Sequence, residues 1–308
     1  MNDSLRLIDK INNRQTLYHL IREFFARRRV LEVETPVLEK APNPSPYLEP
    51  LECESGEYLQ SSPEFYMKRL LAAGSGDIFQ ICKSFRAKEM GRWHRPEFSI
   101  LEWYRIGFNL TQLQQELIEL LGSVGYSGVK QTAEYTYGEL FSRHLSVDPY
   151  LANADELRIA AESEGLDIAP DIDDRAGWLN LLFSAVIEPK LANEQLVIVR
   201  DFPEELSMLS RLEQRGSYRV AARFEVYAKG VELANAFWEL RDSAEQAVRF
   251  KQDLQQRHLL KLDEQLPWPD EFLNIVGELP DCAGIAVGLD RLLAVIRGVD
   301  SLTDVLLF

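Results

Sequence analysis

Apolar side chains recur at Leu17, Leu20, Ile21, Phe24 and Phe25, the i, i+3, i+4, i+7, i+8 spacing of one buried helical stripe. The spacing predicts a helix through about Arg29, because Arg27-Arg28-Arg29 sets cations at the negative end of its dipole. The period then changes. Leu31, Val33 and Thr35 alternate with Glu32 and Glu34, a period-2 strand stopped by Pro36. Ala41–Pro50 holds four prolines and reads as an extended surface loop. Ser62-Pro63-Glu64 opens a second helix, with Glu64 in its first turn and Met67, Leu70 and Leu71 facing inward.

Residues 78–86 and 98–106 read as two strands. The polar stretch Ala87–Glu97 between them is too long for a tight hairpin and is a candidate functional loop. Helices are predicted near 111–122 and through most of 153–190, where an acidic connector, Asp167–Asp174, precedes an apolar helix around Trp178–Ile187. Strands follow at 195–200, 218–228 and 231–240, then a helix over about Ser243–Leu262. A last strand at 283–287 runs into a helix starting near Asp290. Strands arrive in adjacent pairs rather than alternating with helices, which predicts an α+β fold with a mainly antiparallel sheet flanked by helices. No fixed-period repeat appears, which excludes solenoids and propellers.

Composition narrows the function. A chain of 308 residues can bury a large core, in one domain or two. The 34 Lys and Arg against 49 Asp and Glu leave a net charge of −15, which opposes broad, sequence-independent nucleic-acid binding. Cys53, Cys82 and Cys282 are widely spaced, without a CxxC pair, so neither a disulfide framework nor a structural zinc site is expected and a reducing cytoplasm fits. No apolar run approaches the roughly 18 residues that cross a bilayer. The segment Met1-Asn2-Asp3-Ser4 lacks the basic and apolar regions of a secretory signal.

Three segments carry candidate chemistry: the helix–strand–Pro36 unit; Phe85-Arg86, the loop with Arg92, His94 and Arg95, and Pro96-Glu97-Phe98; and Ala286-Val287-Gly288-Leu289-Asp290-Arg291. In this order they resemble motifs 1, 2 and 3 of class II aminoacyl-tRNA synthetases. Ser62–Leu70, Leu101-Glu102-Trp103-Tyr104 and Val231–Leu240 are similar to the lysyl-tRNA synthetase branch. That branch carries an anticodon-binding OB-fold domain before motif 1, whereas here the motif 1 helix begins almost at the first residue. The Glu-Trp-Tyr triplet, the length and the absent domain resemble the short elongation factor P β-lysyltransferase family. The resemblance implies one class II catalytic domain over 1–308 with a helical insertion at about 140–193. It also implies activation of (R)-β-lysine by ATP and Mg²⁺, transfer to a lysine side chain of elongation factor P, a homodimer built on motif 1, and no tRNA.

The same resemblance assigns residues. Arg86 and Arg291 are the catalytic arginines, on the α-phosphate and substrate carboxylate and on the γ-phosphate respectively. A planar guanidinium suits both groups of the first site, which Lys would serve poorly. Glu89, His94, Arg95, Phe98, Glu232, Leu233 and Gly288 complete the ATP site, with Phe98 stacked on adenine. Glu225 and Glu232 are the Mg²⁺ carboxylates, enough for an ion that also takes phosphate oxygens and water. Ser62, Glu64, Glu102, Tyr104, Asn235 and Glu239 bind the amino acid, with Glu102, Tyr104 and Glu239 around its ε-ammonium. Glu102 lies in an apolar run, where an unpaired charge is costly, so a cationic partner is expected for it. Ala286 stands where lysyl-tRNA synthetases carry Gly, a methyl that can shift discrimination by about 1–3 kcal/mol.

Several positions depart from the pattern. The family commonly reads Phe-Arg-Asn-Glu where this chain has Phe85-Arg86-Ala87-Lys88-Glu89, so Glu89 comes one place late and Lys88 reverses a charge. Arg95 replaces an Asn, Ala236 a Gly, and Trp238 a smaller or polar residue. These leave two alternatives: a truncated synthetase that activates α-lysine, and an inactive paralogue that binds a lysine-like metabolite or a protein.

Overall fold

The amino-terminal stripe folds as the helix α1 (Asn2–Arg27), burying Leu17, Ile21, Phe24 and Phe25. It stops two residues before the predicted end because Arg29 takes the left-handed conformation, φ 58°. The computed structural model describes residues 2–166, 172, 174–260, 262 and 266–308, so most of the Asp167–Asp174 connector lies outside the described residues. The chain divides into two units, Met1–Ser127 with Glu239–Phe308, and Gly128–Trp238.

The first unit begins with α1, β1 (Leu31–Glu32), β2 (Leu38–Glu39), β3 (Leu51–Glu52), β4 (Tyr58–Leu59), α2 (Glu64–Ala72), β5 (Ile78–Phe85), β6 (Glu97–Ile106) and α3 (Leu110–Ser123). In the second unit come β7 (Thr132–Thr136), α4 (Tyr137–Leu145), α5 (Ala154–Ser163), α6 (Arg175–Leu182), β8 (Leu196–Pro203), β9 (Leu212–Arg215), β10 (Tyr218–Ala228) and β11 (Val231–Trp238). The chain returns to the first unit with α7 (Ser243–Leu259), α8 (Asp270–Val276), β12 (Cys282–Gly288) and α9 (Leu289–Arg297).

Within the first unit the strand order is β1-β5-β6-β12, with β1 parallel to β5 and the other pairs antiparallel. The alternation along β6 separates two faces. Leu101 and Trp103 lie on the face under α1, where Phe25 stacks on Phe79 at 4.4 Å and meets Trp103 edge-on at 5.4 Å. Ile100, Glu102 and Tyr104 point to the opposite face, together with their register partners Gly288, Ala286 and Gly284 on β12. Small residues on β12 thus leave room over that face.

In the second unit the order is β11-β10-β8-β7, with β9 also paired to β10; β7 and β8 are parallel and the rest antiparallel. Its core stacks Tyr137 on Phe141 and Phe183 at 4.6 and 5.0 Å, alongside Trp178, Leu179 and Tyr227.

Two expectations need correction. The strand at Leu31–Thr35 is ordered as a ladder only at Leu31–Glu32, and Leu31 is 57% exposed because β1 is the last strand of its sheet within the unit. The proline-rich segment is not a surface loop: Pro42, Pro44 and Ser45 are buried. Proline removes backbone donors and leaves carbonyls, and two of the segment's carbonyls, of Ser45 and Leu48, accept from the buried Arg257 guanidinium of α7 at 3.2 and 3.1 Å.

Candidate active site

The face of β6 bearing Glu102 carries a buried polar cluster. Glu102 is 2% exposed; the Ser62 hydroxyl donates to its Oε2 at 2.5 Å and the Tyr104 phenol to its Oε1 at 2.6 Å. Burial, reinforced by the nearby Glu64 charge, pushes the Glu102 carboxyl up to about 8. Ser62 also accepts from the Glu64 amide at 3.2 Å, which ties the start of α2 to this strand.

Glu239 has a partner within the chain. Its Oε2 meets Lys68 Nζ at 2.6 Å, and the same ammonium meets Glu64 Oε1 at 2.7 Å. Lys68 and Glu239 are each 1% exposed. The cation beside Glu239 is therefore the chain's own, one turn along α2 from Glu64. Gly284 makes the cluster fit: a Cβ there would stand 2.3 Å from Tyr104 Cε1 and 2.6 Å from Glu239 Oε1. Neither Lys68 nor Gly284 was assigned a role from the sequence. A signal for Lys68 existed, since Glu64, Met67, Lys68 and Leu71 follow i, i+3, i+4, i+7 and place the lysine on the inward stripe.

A second cluster gathers at the Ala87–Glu97 loop. The ends of the loop close through the Arg86 amide on the Pro96 carbonyl at 2.9 Å. The Arg86 guanidinium lies over the Phe98 ring at 5.1 Å and meets Glu89 Oε1 at 3.5 Å, while its Nε is buried with no hydrogen-bond partner. An orphaned guanidinium N–H calls for an anionic acceptor. Glu89 reaches Arg86 because Lys88 adopts φ 62°, and Lys88 swings away to pair with Glu49 at 3.0 Å. The displaced glutamate and the reversed charge are thus resolved by one left-handed residue.

Arg291 at the start of α9 donates from Nε to the Trp93 carbonyl at 3.0 Å, and its Nη2 lies 2.7 Å from His94 Nε2. Its neighbour Asp290 is buried and anchors this end of α9, accepting from the Ser99 amide at 2.8 Å and from Arg14 at 2.6 Å. Gly288 ends β12 opposite Ile100. Arg95 stands apart: its guanidinium bonds the Gly91 and His94 carbonyls at 2.5 and 2.8 Å and Thr303 Oγ1 at 2.9 Å.

In the second unit, Glu225 on β10 lies opposite Asn235 on β11. Arg223, unnoticed in the sequence, is 5% exposed and donates to Glu225, to Asn235 Oδ1 at 3.0 Å and to the Leu206 carbonyl at 2.9 Å. Tyr227 donates to Glu225 Oε2 at 2.5 Å. Burial holds the Glu225 carboxyl above its usual range; Arg223 opposes this and the Glu232 charge adds to it. Leu233 is buried. Among the described residues no group of three or more His, Cys, Asp or Glu is placed to hold a metal. A like-charged carboxylate pair does suit an ion that takes one or two protein carboxylates and fills its shell with phosphate and water.

Comparison with known proteins places the chain in a family. Residues 4–308 match the family model described as tRNA synthetases class II (D, K and N). Proteins named Elongation factor P--(R)-beta-lysine ligase from Salmonella paratyphi B and Salmonella schwarzengrund are each 41% identical over 312 residues, covering 98% of this chain and 95% of the relative. The protein of the same name from Salmonella heidelberg matches to the same extent. With a matching family model over nearly its whole length and relatives of one name at this identity, the chain belongs to the class II synthetase family and, within it, to the elongation factor P--(R)-beta-lysine ligases.

Proposed function

We propose that the protein activates (R)-β-lysine with ATP and transfers it to a lysine side chain of elongation factor P. The observation that carries this reading is Glu102, a buried carboxyl held by two hydroxyls on the open face of β6 with Ala286 opposite it in register. A lysine-like ammonium supplies the cation that such a group requires to ionise.

The amino-acid carboxylate attacks the α-phosphorus of ATP, forming the acyl phosphate bond and expelling pyrophosphate. The acceptor amine then attacks the acyl carbon, forming an amide and expelling AMP. Positioning and charge neutralisation carry the first step, with no protein nucleophile. Arg86 holds the α-phosphate and carboxylate through its unsatisfied Nε, Phe98 and Glu89 face the adenine side, and Arg291 with His94 takes the outer phosphates. Glu225 and Glu232 would hold Mg²⁺, which neutralises phosphate charge when bound. Arg95, spent on its own loop and Thr303, has no role in this scheme.

The altered loop does not favour an inactive paralogue, since Lys88 is drawn off by Glu49 and Glu89 is returned to Arg86. A homodimer through α1 and β1 is supported by the exposure of Leu31. A cytoplasmic setting is supported by three free cysteines. ATP–pyrophosphate exchange with each lysine isomer tests the first step, and mass spectrometry of elongation factor P after incubation tests the second. Exchange that prefers α-lysine, or an unmodified acceptor, overturns the proposal.

A further inference from the structure

A buried ammonium persists only when carboxylates compensate its lost hydration. Lys68 has two, Glu64 at 2.7 Å and Glu239 at 2.6 Å, with the Phe272 ring 5.7 Å away. One of these carboxylates comes from its own helix and the other from the segment after β11, so the ammonium joins two walls of the cluster. Gly284 presses the same arrangement from β12, because its missing Cβ is the space that Tyr104 and Glu239 occupy. Lys68 pairs with Glu64 and Glu239, whereas Glu102 is held by two hydroxyls, so the charge of Glu102 is left for an ammonium of the ligand. A diamino acid brings two ammonium groups and an ordinary amino acid brings one.

We propose that Lys68 is a positioning residue of the amino-acid pocket, the resident counter-ion that fixes Glu64 and Glu239 so that Glu102 is left for an incoming ammonium and the pocket selects a diamino acid. The inference rests on the amino-acid-activating function proposed above. The other titratable or charged groups around the cluster are Tyr104 and Cys82 beside Glu102, Cys282 beside Glu239, and Asp281 and Arg241 near Cys282. Burial pushes both thiols up to about 12, so neither changes charge near neutrality. The Lys68 charge is maintained despite burial by Glu239 and Glu64.

The test is calorimetric titration of the intact protein with (R)-β-lysine near pH 7, in two buffers of different ionisation heat, beside parallel titrations with ATP. Wild-type protein is expected to release about one proton per amino acid bound, from Glu102. In Lys68→Met the amino-acid affinity falls about 30-fold or more, while ATP affinity stays within about two-fold. Amino-acid affinity in the variant within about three-fold of wild type overturns the inference, as does a parallel loss of ATP affinity, which marks a structural role. A wild-type proton count other than about one overturns it without any variant having to fold. Wild-type protein that binds ATP but neither lysine isomer overturns the functional proposal itself, and this inference with it.

Discussion

Ala286 stands directly opposite Glu102 in the antiparallel register of β12 and β6. Its methyl therefore shares a sheet face with the carboxyl proposed to take the substrate ammonium. Replacing it with glycine opens the floor of the pocket by one carbon. Ala286→Gly is expected to move the kcat/KM ratio toward α-lysine by about 1–3 kcal/mol, about fivefold or more, in exchange assays run with each isomer. An unchanged ratio would remove Ala286 from the specificity argument.

Glu102→Gln keeps the shape of the pocket and removes its capacity for charge. The amino-acid KM is expected to rise by about 2–5 kcal/mol equivalent, with the KM for ATP little changed. Because the wild-type carboxyl sits at about 8, amino-acid affinity should improve as pH rises toward that value, and the variant should lose this dependence.

Arg86→Lys tests geometry rather than charge. A point ammonium cannot reproduce the planar fork over Phe98, so exchange is expected to fall about 10²–10³-fold despite the conserved sign. Arg291→Ala should fall comparably, and both proteins should melt near the wild-type temperature because each arginine is partly exposed.

Gly284→Ala places a methyl where Tyr104 and Glu239 already are. Overpacking of this kind costs about 1–3 kcal/mol. A melting temperature lowered by several degrees is expected, together with amino-acid affinity lost more severely than ATP affinity.

Glu39 on β2 is 6% exposed, and burial pushes its carboxyl up to about 8 from an ordinary 4.5. The folded state keeps a proton there that the unfolded chain gives up, so this group's contribution is full below about pH 4.5 and is lost as pH rises through about 8. Glu39→Gln should therefore melt close to wild type at pH 5 and a few degrees above it at pH 8.5, as followed by circular dichroism.

Much of the first unit was legible because its pattern is strong. The α1 stripe, the β5 and β6 runs and the β12-to-α9 junction each carry a clear period and a long apolar count. β2, β3 and β4 were missed because two-residue ladders carry no period. β7 and β9 escaped notice because they are short and rich in polar residues, and β7 draws its order from β8, distant in sequence. Among site residues, Arg86 and Arg291 could be placed by motif, but the Lys68 bridge could not, since its second partner, Glu239, is 171 positions away. The proline-rich segment was misread for a related reason: composition describes its missing donors but not the buried Arg257 that uses its carbonyls.

The alternation of β6 has a consequence for how such a protein can diverge. Leu101 and Trp103 are bound to the α1 side, whereas Ile100, Glu102 and Tyr104 belong to the pocket. Neighbouring codons therefore answer to separate pressures, one to folding and the next to ligand choice. Substitution at Glu102 can change ligand choice without touching the side chains that pack under α1. A single-residue insertion would exchange the two roles along the rest of the strand and defeat both at once.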